Sequence, residues 1–198
     1  MLKRFLLPAA LLLAAPAAHA NILLSLTGSP TADGSGGFIY TYDAFLQPGA
    51  RLRAGDAFVL YDVGGLKTAS FKVGDDVPAV PPDSFDLSFP STGPTPGFLN
   101  PTDTAALPNI AVTLSGPATI SHPGEVLLLG TLTVDSSLTQ TGDLGYGSLS
   151  HKTATSPLYA ISTVAGPVPE PSTYGLMGIG LAAIAALALR KTRREEKK

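Results

Sequence analysis

From Phe38 to Leu46 the residues alternate, placing Phe38, Tyr40, Tyr42 and Leu46 on one face of a predicted strand. This period of two recurs down the middle of the chain between glycine and proline punctuation, and it limits the possible folds more than any other feature. Gln47-Pro48-Gly49 turns the chain after the first run. Ala57 to Val63 is apolar on both faces, Phe58 and Leu60 against Val59, Tyr61 and Val63, as a central strand would be. It is bounded by Gly55-Asp56 and Gly64-Gly65. Leu66 to Val73 is expected to return beside it. Ile110 to Leu114 alternates with Ile110, Val112 and Leu114 inward. Val126 to Asp135 reads as the longest strand, with Val126, Leu128, Leu132 and Val134 on one side and Gly130 marking a bulge. Tyr146 to His151 and Leu158 to Val164 read as later strands. No segment of helical period and useful length lies between the two ends. The pattern predicts an all-β fold, a β-sandwich of short antiparallel strands.

One stretch departs from it. Val77 to Pro108 contains eight prolines, which remove ladder donors, so it can hold edge strands at most, such as Phe85 to Phe89. It reads as a long surface loop within one domain and not as a linker between two, because neither half has enough strands for a core of its own. The expected domain, residues 21–166, is within the ordinary size of a single unit. Its five bases (Arg51, Arg53, Lys67, Lys72, Lys152) face twelve acids, a poor balance for nucleic-acid binding, which needs a basic patch. The chain has no cysteine, which excludes disulfides, a thiolate nucleophile and a cysteine metal site.

The ends are of another kind. Met1-Leu2-Lys3-Arg4, an apolar run from Phe5 to Ala17 and then Ala18-His19-Ala20 have the three parts of a secretory signal peptide. Residues 1–20 are the expected leader, with Ala18 and Ala20 as the signal-peptidase site. At the other end Tyr174 to Leu189 carries no charge and would span about 24 Å as a helix, against a hydrocarbon core of ~30 Å. Snorkelling and local thinning close that gap. A buried core helix is the alternative, but a basic cluster, Arg190, Lys191, Arg193 and Arg194, follows at once, as the positive-inside rule expects of a stop-transfer segment. A single C-terminal transmembrane helix is therefore expected. Before it stands Val168-Pro169-Glu170-Pro171-Ser172, in which proline on both sides holds Glu170 extended with its carboxylate displayed.

This composite, Val-Pro-Glu-Pro-Ser, a short apolar run and an Arg-rich tail, resembles the PEP-CTERM sorting signal of Gram-negative bacteria over residues 168–194. The resemblance implies an exported substrate of an exosortase, an integral-membrane cysteine protease or transpeptidase, often in organisms that make extracellular polysaccharide. It makes Val168, Pro169, Glu170 and Pro171 recognition residues for sorting and processing. Tyr40-x-Tyr42 with Gly55 to Gly65 is similar to a recurring N-terminal half among uncharacterised proteins of that kind. Leu129-Gly130-Thr131-Leu132-Thr133-Val134 is similar to one strand of cohesin-like sandwiches.

Chemistry within the domain is sparse. His122 and His151 stand beside Ser121 and Ser150, with Ser148 near, but a triad is assembled in space and adjacency in a Ser-rich chain is not one. No G-x-S-x-G elbow occurs. Asp33, Asp75, Asp76, Asp83 and Asp86 are loop carboxylates able to bind Ca²⁺, without the spacing of an EF-hand. Asp62, ending a strong strand, is the one acid worth testing for hydrolysis. Phe38, Tyr40, Tyr42 and Tyr61 would make a sugar platform if exposed, and core if not. The expected protein is a surface or extracellular-matrix protein with no catalytic residue, no metal and no cofactor. Its expected partners are signal peptidase, an exosortase and the membrane. The alternative is an extracellular polysaccharide-binding module, and a secreted hydrolase is a distant third.

Overall fold

The computed structural model describes residues 21–77, 81, 83–93, 103–117, 119–122, 124–153 and 156–169. Ala18, Ala20, Glu170, Pro171, the apolar run and the basic cluster at Arg190, Lys191, Arg193 and Arg194 lie outside the described residues. Among those described, all regular structure is β: β1 (Ile22–Leu26), β2 (Thr31–Ala32), β3 (Phe38–Leu46), β4 (Arg51–Leu52), β5 (Ala57–Leu60), β6 (Leu66–Val73), β7 (Phe85–Ser88), β8 (Ile110–Leu114), β9 (Ile120–Ser121), β10 (Leu127–Ser136), β11 (Thr141–Thr153) and β12 (Ser156–Pro167). No described helix is long and apolar enough to cross a membrane.

Two antiparallel sheets result. The first runs β1-β3-β10-β6, with β2 continuing the β1 lane against β3. The second runs β7-β8-β5-β11-β4-β9, and β12 pairs with the far side of β11. Tyr40, Tyr42, Ala44 and Leu46 from β3 meet Phe58, Leu60, Val112, Leu114 and Tyr146 from the second sheet in one buried cluster. Each fully buried side chain of this size contributes roughly 1.5–3 kcal/mol. Phe71 of β6 stacks edge-on with Phe58, centroids 5.8 Å apart, and with Phe85, 5.2 Å apart, closing the sandwich along one edge. At the opposite edge β1 lies against β12.

Four expectations change. Leu66 to Val73 does not return beside Ala57 to Val63; it crosses to the other sheet and pairs with β10. The cause is local: Asp62 sits in the left-handed region (φ 54°), which Asp tolerates better than most residues, and Gly64-Gly65 carries the chain across instead of closing a hairpin. Second, Val126 and Leu128 do not face the core. The bulge at Gly130 flips the side-chain parity, so Leu127 and Leu129 point inward before it and Leu132 and Val134 after it, while Val126 is 52% exposed. Gly130 is needed there, since a Cβ would strike the Lys72 carbonyl of β6. Third, the longest strands are β11 and β12, 13 and 12 residues, paired along their whole length. Fourth, β1 joins the first sheet without having announced itself in the sequence. Phe85–Ser88 is an edge strand, as the prolines require.

Candidate functional site

β12 runs through Gly166 and Pro167, so no slack linker separates the sandwich from the tripeptide. Three connections converge where the strand ends: the crossover at Asp62–Gly65, the bend at Ser136–Gln140 between β10 and β11, and β12 itself. The Gly64 N–H donates to the Pro167 carbonyl (3.1 Å), and the Val168 N–H donates to the Gln140 carbonyl (3.2 Å). The Val168 side chain packs against the core. It lies over Gly142, where a methyl group would fall 2.7 Å from Val168 Cγ2. Pro169 lies over Gly64, where a methyl group would fall 2.9 Å from Pro169 Cδ. Two glycines thus form a notch filled by Val168 and Pro169, and Glu170 is the next residue. The crossover and the bend are themselves pinned: Ser136 Oγ donates to the Gly64 carbonyl (2.7 Å) and the Tyr40 hydroxyl to the Leu138 carbonyl (3.1 Å). Sequence reasoning found Val168 and Pro169 from their motif but missed Gly64 and Gly142. A glycine in a strand signals close approach of something else, without saying of what.

The residues weighed for catalysis come together differently. His151 projects from the outer face of the second sheet and holds Asp56, Nδ1 to Oδ2 2.8 Å, both groups buried. Asp56 Oδ2 also accepts the Arg53 N–H (3.0 Å), closing the turn before β5. Beside them is a depression of about 240 Å³ lined by Arg53, Asp56, Leu149, His151, Pro157 and Tyr159. Among the described residues no serine completes a triad. Ser150 and Ser148 belong to the opposite face of β11, pointing into the core with hydroxyls that have no partner among the described residues. Ser121 is paired with Arg51, one lane removed from His151. The dyad's evident work is to fasten the β4–β5 turn to β11.

Asp62, the acid singled out for hydrolysis, is a fastener too. Its Oδ1 accepts from Thr104 N (2.9 Å) and Thr104 Oγ1 (2.8 Å), and its own N–H donates to Asn109 Oδ1 (2.7 Å). Asn109 Nδ2 in turn donates to Asp103 Oδ1 (3.0 Å), and Asp103 Oδ2 accepts the Gly93 N–H (2.8 Å). The proline-rich stretch is thereby tied to the end of β5. Gly93 rests on the Tyr61 ring, and Tyr61, Val59 and Ala111 form a second small buried cluster beneath it.

The aromatic platform does not exist in this fold: Tyr40 and Tyr42 are fully buried and Tyr61 nearly so. Burial raises the Tyr42 phenol well above its ordinary pKa, with the neighbouring Tyr40 adding to it, and its hydroxyl has no partner among the described residues. Among the loop acids, Asp75, Asp76, Asp83 and Asp86 are exposed. Asp33 is occupied by Lys67, Nζ to Oδ2 2.6 Å, and by its own turn at Ser35 and Gly37. Among the described residues no three His, Cys, Asp or Glu side chains converge as a metal site would require.

Residues 167–194 match the family model described as the PEP-CTERM protein-sorting motif. No curated protein matches the chain. The motif implies an exported protein that is processed by an exosortase.

Proposed function

We propose that this chain is a non-enzymatic surface or extracellular-matrix protein whose sandwich is cargo and whose end is its address. Signal peptidase removes residues 1–20 after Ala20, and the run from Tyr174 to Leu189 then holds the domain outside the cytoplasm. Arg190, Lys191, Arg193 and Arg194 stop transfer. The exosortase recognises Val168, Pro169, Glu170 and Pro171 and delivers the domain to the surface or medium. The observation that carries this reading is the sorting motif itself, joined without a break to the last strand of an all-β domain. Against catalysis stands the employment of the best candidates, Asp62, Asp56 and His151, in holding turns and loops. Replacing Glu170 with Ala should leave export intact and abolish C-terminal processing, read as intact mass from the native host. A normal mature mass would remove Glu170 from the recognition.

Extracellular polysaccharide remains the second reading, but its surface moves. The outer face of the first sheet presents Ser25, Asp43, Thr131 and Lys72 in one cross-strand row and Thr41, Thr133 and Ser70 in the next. Rows of hydroxyl and charged groups on a flat face suit sugar hydroxyls. A glycan array on residues 21–169 tests it, with Thr133→Ala and Lys72→Ala as the informative variants. Tyr40→Ala is not informative, because that ring is core.

A further inference from the structure

We infer that the notch made by Gly64 and Gly142 is a docking site for the chain's own Val168 and Pro169, and that it must open before processing at the tripeptide can occur. This rests on residues 167–194 acting as the sorting signal. Consecutive Cα atoms are 3.80 Å apart, so Glu170 begins within one peptide bond of a residue seated on the sandwich. A protease cleft grips extended chain on both sides of the residue it reads. On the N-terminal side of Glu170 no such chain is free. Pro167 and Val168 are hydrogen-bonded to Gly64 and Gln140, and the Val168 side chain is packed over Gly142. An enzyme closing around Glu170 would collide with β11 and with the crossover. Local opening of the last residues of β12 relieves this, and strand ends with few contacts are where folded proteins open most readily. The native contact then keeps the signal out of non-specific proteolysis, and the sorting enzyme is one that captures the opened form.

The chain contains no cysteine, and a Cβ on residue 142 would lie 3.6 Å from the Val168 Cβ, within the usual range for a disulfide. Gly142→Cys combined with Val168→Cys therefore locks the notch shut in an oxidising compartment, and dithiothreitol releases it. In membranes from the native host, the oxidised full-length chain should be processed at least tenfold more slowly than the same chain after reduction. Both rates come from one and the same chain, so any change that either cysteine makes to the basal rate cancels in the comparison. Equal rates for oxidised and reduced forms would overturn the inference, as would failure of the disulfide to form in a folded chain. Glu170→Ala in the reduced double variant separates the two layers. Continued processing there would sink the sorting assignment, whereas a block there together with no effect of oxidation would sink the docking site alone. Should the double variant not fold, amide exchange at Val168 of the native chain reads the same contact. Protection below about tenfold relative to an unstructured peptide would show that the notch is not occupied.

Discussion

The two sheets share one core and differ on their outer faces. The first sheet follows the simple rule for a one-sided sheet: core residues inward from β3 and β10, and Thr41, Asp43, Thr131, Thr133 and Ser70 on the solvent side. In the second, the part around β5 and the end of β11 is covered on its outer face as well. Val59, Tyr61 and Ala111 make a cluster under the proline-rich stretch, and Asp56, Asn109 and His151 are buried on or beside that outer face. Polar groups under a cover have no water to fall back on, so each is paired within the protein. On the open face a hydrogen bond is optional; under the cover it is a condition of folding.

Two aspartates put that contrast to its hardest test. Asp56 is 2% exposed and shared between His151 and the Arg53 amide, whereas Asp43 sits on the open face and accepts one bond from Thr131 Oγ1 at 3.0 Å. Asp56→Ala should cost about 3 kcal/mol, because it strands a buried imidazole as well as a turn amide. Asp43→Ala should cost under about 1 kcal/mol, since water replaces the lost partner. Urea unfolding at neutral pH measures both. Equal losses would mean that the cover over the second sheet is no seal.

The same contrast explains what could be foreseen. The one-sided sheet was legible: Phe38 to Leu46 alternates, and its buried residues are Tyr40, Tyr42, Ala44 and Leu46, with Phe38 only partly buried. Even there a single glycine defeated the reading of β10, because the bulge at Gly130 swaps the faces and nothing in composition says on which side of it the swap begins. β1 was hidden by its setting. Ile22, Leu24 and Leu26 have the right period, but Leu23 between them and the apolar leader before them blur it into one greasy run. In the covered sheet, β5 showed its apolar character on both faces, yet the partners of Asp62 and Asp56 are 42 and 95 residues away. Periodicity is a local property and cannot name a partner at that distance. The sorting motif was read fully because its information is local and linear. The notch that receives its first residues was not, because Gly64 and Gly142 matter only for what lies against them.

Within the core, two tyrosines on one strand carry the rule to the inner face, at smaller amplitude. The Tyr40 hydroxyl donates to the Leu138 carbonyl, whereas the Tyr42 hydroxyl is buried without a partner among the described residues. Tyr40→Phe should therefore destabilise by about 1 kcal/mol, leaving the Leu138 carbonyl in the bend between β10 and β11 unsatisfied. Tyr42→Phe removes an unpaired group and should stabilise by a similar amount. Opposite signs in thermal unfolding would support the accounting; equal losses would mean that the Tyr42 hydroxyl has a partner in solution.

The weakest expected effect is on the open side, at the loop before β3. Lys67, above all, holds the Asp33 carboxyl well below the usual carboxylate range, helped by the Ser35 hydroxyl and the Gly37 and Ser35 amides, and Asp33 raises the Lys67 ammonium in return. For Asp33 the unfolded chain takes up its proton near pH 4 while the folded chain resists. Its stabilisation is complete above that pH and drains away as the medium becomes more acidic. For Lys67 the order reverses: the contribution is whole below about pH 10 and fades only as pH climbs through the raised folded value. Between these limits the pair is indifferent to pH. Asp33→Asn should accordingly lower the urea midpoint slightly near pH 7 and flatten its fall between about pH 5 and pH 3, because the variant already lacks what acid removes from the native chain. Added salt should shrink the difference, because the lysine reaches the carboxylate from solvent. If instead the acid limb were unchanged by Asp33→Asn, the open face would contribute nothing to acid sensitivity.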